Sequence, residues 1–137
     1  MLRILFAVIA LLSATPAFAQ TATAKTPDSL ANGFFKGLQA GPALKAYNDM
    51  WQGTLMSKKQ ADVENAAAQT ENAFRIYGKL VDWEKMNTEQ VSPSFIITTF
   101  LVRTEGAPIF FKMQFYHAPS GWMVAYVNFA DSYKALQ

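Results

Sequence analysis

Residues 109–129, IFFKMQFYHAPSGWMVAYVNF, decide how this chain folds. Two runs rich in aromatic and β-branched residues flank a Pro-Ser-Gly turn, and each alternates with a period of two, the signature of a β-hairpin. Taking HAPSG as a five-residue loop sets Tyr116 opposite Trp122. One face of the ribbon then gathers Ile109, Phe111, Met113 and Phe115 with Met123, Ala125, Val127 and Phe129, all apolar. The other gathers Phe110, Lys112, Gln114 and Tyr116 with Trp122, Val124, Tyr126 and Asn128, aromatic bodies among polar tips. A slip of one residue would mix these sets, so the pattern itself selects the pairing. The apolar face should meet other elements of the fold, and the mixed face is left for solvent, a ligand or a second subunit.

Working back from the hairpin, SFIITTFLVR (94–103) and KLVDWEKM (79–86) read as two further strands. The first is too sticky for an exposed edge and belongs inside the sheet. The second is polar enough to be an edge. Before them the period changes to that of helices. Leu30, Ala31, Phe34, Phe35 and Leu38 share one face after Pro27 and Asp28, and Leu44, Tyr47 and Trp51 form a stripe with Met50 beside it. Val63, Ala67, Thr70, Phe74 and Tyr77 line a third helix that Gly78 ends. SKKQ (57–60) has the form of a capping box for that helix. The fold class expected is α+β, with N-terminal helices packed on a curved four-stranded antiparallel meander, in one domain over 28–137.

The first 19 residues, MLRILFAVIALLSATPAFA, have the three parts of a secretory signal: Arg3, an apolar run from Ile4 to Leu12, and Ala17-x-Ala19 for cleavage. The apolar run is shorter than the roughly 20 residues a spanning helix needs. The expectation is export to the periplasm or beyond, with no stable membrane anchor after cleavage and a loose leader over 20–27. The chain has no cysteine, which excludes disulfides, thiolate nucleophiles and the lipid attachment of a bacterial lipoprotein. A formal charge of +2, falling to +1 without Arg3, and no basic run give no electrostatic case for nucleic acid.

Catalytic chemistry finds few parts. One histidine and no cysteine cannot make an ordinary zinc site, and the isolated glycines make no phosphate loop. His117 is the chain's one histidine, the side-chain type most often used as a general base. It sits at a strand end beside Pro119 and Gly121, in line with Phe115 and Met113, as a base at a pocket mouth or as a turn residue. Ser120 is too close in the same turn to complete a triad with it. No catalytic residue, metal ligand or cofactor is therefore assigned. The surplus is aromatic, and the candidate ligand or interface residues are Tyr47, Trp51, Phe110, Lys112, Gln114, Tyr116, His117, Trp122 and Tyr126.

Tyr77-Gly78-Lys79, Pro108 with the aromatics that follow it, Phe115-Tyr116, Gly121-Trp122 and Asn128-Phe129-x-Asp131 resemble small exported bacterial proteins. The order of elements resembles the nuclear-transport-factor-2-like superfamily, also called ketosteroid-isomerase-like or SnoaL-like. That resemblance implies a cone-like, cystatin-like roll around helices, often with an apolar pocket. The superfamily's isomerases place a carboxylate and a hydrogen-bonding Tyr or Asp in that pocket. Asp82, Glu84 and Tyr47 are the nearest residues here, without positional correspondence. Two functional expectations follow. The first is a non-enzymatic binding or interaction module, as a homodimer through the sheet face or with a small apolar ligand. The second is a small isomerase, cyclase or hydrolase with an Asp or His base.

Overall fold

The structure, a computed structural model, describes residues 23–137; the signal-type segment and the start of the leader lie outside the described residues. Three helices come first: α1 (Pro27–Ala40), α2 (Ala43–Trp51) and, after a 3₁₀ turn at Leu55–Lys58, α3 (Gln60–Tyr77). Four strands follow, β1 (Leu80–Ser92), β2 (Phe95–Thr104), β3 (Pro108–Ala118) and β4 (Gly121–Ala130), and a last 3₁₀ turn covers Tyr133–Leu136. All pairings are antiparallel in the order β1-β2-β3-β4. The fold is the expected α+β arrangement of helices against an open meander, with β2 in the interior and β1 and β4 at the edges. No helix among the described residues is long and apolar enough to cross a membrane.

The helix starts are set by local hydrogen bonds. Thr26 and Ser29 make a reciprocal capping box at α1, the Thr26 side chain accepting from Ser29 N at 3.1 Å. Pro42 offers α2 no side-chain cap, and the deficit is met from another helix: Glu71 Oε1 accepts from Ala43 N at 2.6 Å. The expected capping box at Ser57 is not formed. Ser57 lies inside the 3₁₀ turn, which Thr54 caps, and Lys59 precedes α3. Gln60 Nε2 instead donates to Ser57 O at 2.7 Å. At the other end Gly78, at φ 93°, takes a backbone that side chains resist and turns the chain into β1.

The core lies between the helices and one face of the sheet. Phe34 and Phe35 of α1 meet Phe111 of β3 with ring centroids 6.2 and 5.5 Å apart, and Phe35 also meets Phe100 of β2 at 5.1 Å. Met113, Phe115, Ile109, Val102 and Val124 complete a floor from which water is excluded. The helices deviate slightly from expectation. Ala73 is buried in place of Phe74 and Tyr77, both of these being half-buried, and Leu44 is exposed while Ala43 and Ala46 face inward.

The final hairpin carries the main correction. Its turn has two residues, Pro119 and Ser120, closed by Ala118 and Gly121. Gly121, which closes the turn at φ 117°, takes a positive-φ backbone that glycine adopts without steric cost. Tyr116 therefore pairs with Met123 and Trp122 with His117. Between Phe115 and Gln114 the register shifts, leaving Ala125 as an extra residue on β4. The bulge inverts the near-turn half of β4. Val124 turns inward and is buried, Met123 turns outward, and Trp122 moves from the mixed face to the inner rim. Beyond the bulge the expected facing returns: Val127 pairs with Met113 and Phe129 with Phe111, on the core side.

The two edges differ. β1 is longer than expected, running to Ser92, and has register shifts that leave Val81, Met86 and Val91 as extra residues. It also bears Asp82, Glu84, Lys85 and Glu89. Repeated bulges and charges are the usual devices that stop an edge from pairing further. β4, GWMVAYVNFA, carries no charge and no proline, and has one bulge.

Candidate functional site

The space between helices and sheet is filled with side chains, so the openings lie at the rim. One of them is a groove between α3 and the free edge of β4, with a volume of about 430 Å³. Tyr47, Trp51 and Met56 close one end. Asp62, Asn65, Ala66 and Gln69 of α3 form one wall, and Tyr126 to Phe129 of β4 the other. A shallower hollow of about 260 Å³ continues it past Gln69 and Phe129 to Asn72, Ile76, Tyr77 and Asp131. Residues 62, 65, 69, 72 and 76 recur every three or four positions, so one stripe of α3 overlooks the whole length. Four consecutive β4 residues point alternately to opposite faces of the sheet yet all line the groove. It therefore meets the strand edge-on.

Tyr47 and Trp51 are structural at their polar ends. Tyr47 Oη lies 2.9 Å from Thr70 Oγ1, and Thr70 Oγ1 donates to Ala66 O at 2.9 Å, so the tyrosine hydroxyl is the donor to threonine. Burial pushes the Tyr47 hydroxyl up to about 12. Trp51 Nε1 donates to Val124 O at 3.1 Å, covering the edge of β4 beside its bulge. Among the described residues this is the one side-chain hydrogen bond to the β4 backbone. From Tyr126 to Ala130, alternate N–H and C=O groups have no strand beyond them. Asn128 Oδ1 is the one buried side-chain polar atom without a partner among the described residues.

The other expected residues separate into two places. Phe110, Lys112, Gln114, Tyr116 and Tyr126 do share the outer face. Its upper half, however, is covered by the last 3₁₀ turn: Tyr133 packs on Phe110 at 5.6 Å, Lys112 Nζ donates to Leu136 O, and Leu136 is buried. Tyr116 and Tyr126 remain exposed. His117 and Trp122 lie at the hairpin tip, rings 4.8 Å apart, beside a hollow of about 460 Å³ shared with Lys25 and Ser120. Among the described residues no carboxylate lines that hollow to orient the imidazole as a base. His117 N donates to Ser94 O at 2.9 Å, which ties the two hairpin tips together.

Asp82, Glu84 and Tyr47 do not converge. Asp82 is paired with Arg103 across β1 and β2, and this hydrogen-bonded pair holds its carboxyl below the usual range. Glu84 is exposed, and Tyr47 is in the core. The Tyr77 hydroxyl is raised by its 2.6 Å hydrogen bond to Asp131. No three His, Asp or Glu side chains come together among the described residues. Sequence reasoning missed Asn65, Gln69, Asn72 and Asn128. The helical spacing of the three α3 residues was readable, but not that their polar stripe overlooks an open strand edge. No protein-family model, no curated protein and no solved structure matches this chain.

Proposed function

We propose that this chain is an exported, non-enzymatic binding module on a nuclear-transport-factor-2-like scaffold, and that the groove between α3 and β4 is its recognition surface. The observation that carries the reading is the contrast between a solid interior and an open groove whose polar groups are unspent. Among the buried polar side chains, Tyr47 and Thr70 are used on each other and Thr98 is engaged by Thr88. The amides of Asn65, Gln69 and Asn72 are exposed along the groove and make no long-range hydrogen bond, Asn72 accepting locally from Arg75. Convergent hydrogen-bonding groups beside aromatic surface suit a ligand that is held, not transformed. The periplasm is the compartment proposed for this activity, and the exposed Tyr116 and Tyr126 offer the sheet face as the surface for a homodimer.

Native mass spectrometry of the full chain, recovered from the periplasm of an expressing bacterium, tests this. A retained small molecule, a peptide or a dimer mass supports the module. A bare monomer in the cytoplasm, with its first 19 residues uncleaved, would count against both its place and its role.

A further inference from the structure

We infer that the groove takes an uncharged, extended peptide segment of a partner protein, added to β4 as a fifth strand; this rests on the binding-module reading above. The argument begins with the asymmetry of the sheet. β1 is defended by bulges at Val81, Met86 and Val91 and by four charged side chains. β4 has none of these defences from Tyr126 to Ala130. An uncharged, unbroken edge is a template for another strand.

What stands beside that edge selects the occupant. Because α3 forms the far wall of an edge-on groove, an incoming strand must fit between helix and sheet. A second copy would bring its own α3 beside its own β4, and that helix would have to fill the same space. A single peptide strand carries no such layer. It would also present its second row of backbone N–H and C=O groups to α3, where Asn65, Gln69 and Asn72 each offer a donor and an acceptor.

The dimensions agree. Five strand residues, Tyr126 to Ala130, extend about 17 Å, and α3 from Asn65 to Ile76 rises about 16 Å. Charge agrees as well. Lys59 and Asp62 stand together at one end, Asp131 is engaged by Tyr77 at the other, and the middle is neutral. Asn128 supplies an independent mark, since its buried Oδ1 lacks a donor that a neighbouring strand's side chain could provide.

The test starts from a phage-displayed random heptapeptide library panned on the full chain, with the best binder synthesised alongside a version N-methylated at alternate residues. Expected are uncharged, β-branched sequences. N-methylation of one alternating set should abolish binding. Replacing Asn65, Gln69 and Asn72 together by Ala should weaken it roughly tenfold or more, as one to two net hydrogen bonds require. These sites are exposed on a helix, where Ala is a strong helix former, so the variant folds. Amide shifts should map to Tyr126–Ala130. No enriched peptide, binding indifferent to N-methylation, or a neutral oligosaccharide binding the groove instead would each overturn the inference. So would a concentration-dependent dimer that protects the β4 amides. Retention of a non-peptide ligand in the native mass spectrum, with no peptide enriched, would remove the peptide and leave the module standing.

Discussion

Tyr47 can be tested as a structural residue by replacing it with Phe and following stability against pH. At neutral pH the change removes one hydroxyl that donates to Thr70 Oγ1. Thr70 keeps its own bond to Ala66 O, so no buried group is orphaned and the cost is about 1 kcal/mol. The alkaline limb differs. Burial raises the Tyr47 hydroxyl from 10.0 to about 12 in the folded state. A group whose folded value is raised contributes stability that is complete below the unfolded value and is lost as pH climbs toward the folded one. Near pH 11 the wild type should have lost about 1.4 kcal/mol from this residue alone, and the Tyr47→Phe variant nothing. The two curves should therefore cross a little below about pH 11, with the variant the more stable beyond it. Urea unfolding across neutral to alkaline pH measures this, and the difference curve cancels every other titrating group. Parallel curves would refute the buried hydrogen-bonded geometry.

The complementary change, Thr70→Val, leaves the Tyr47 hydroxyl buried without an acceptor and should cost more, about 1–3 kcal/mol, by the same urea assay. Glu71→Ala removes the cap that α3 lends to α2 and should cost about 1 kcal/mol, read from the midpoint of chemical denaturation. Phe111→Ala opens a cavity among Phe34, Phe35 and Phe129 and should cost about 3–5 kcal/mol, visible as a large drop in melting temperature. Gly78→Ala forces a side chain into a left-handed backbone and against Glu105 Cβ at 2.7 Å, so calorimetry should show destabilisation of about 1 kcal/mol or more.

Much of the architecture was legible because its signals are periodic. Phe111, Met113 and Phe115 alternate strictly, and all three are fully buried; Phe34, Phe35 and Leu38 repeat at helical spacing and are buried as well. What escaped was what periodicity does not encode. Ala125 is an ordinary residue in a strand pattern, and nothing local marks it as the bulge that exchanges Met123 and Val124. Ser57 and Gln60 fit a capping box by type, but Thr54 caps the preceding 3₁₀ turn and absorbs Ser57 into it. The groove was hidden for a different reason. Tyr47, Trp51 and Tyr126 stand out in the sequence for being aromatic, and they do line it. Its amide wall depends on where α3 stands relative to a strand edge, which is a tertiary fact. The outer sheet face reads as mixed from the alternation alone, while its partial cover by Tyr133 and Leu136 depends on where the last turn folds back.

Residue-resolved amide hydrogen exchange on dilute monomer tests the undefended edge most directly. In the interior strand β2 exchange should be uniformly slow, whereas from Tyr126 to Ala130 alternate amides should exchange quickly, those turned away from β3. Uniform protection along that segment, unchanged on further dilution, would mean something within the chain already pairs with it, and the recognition surface proposed for this protein would be closed.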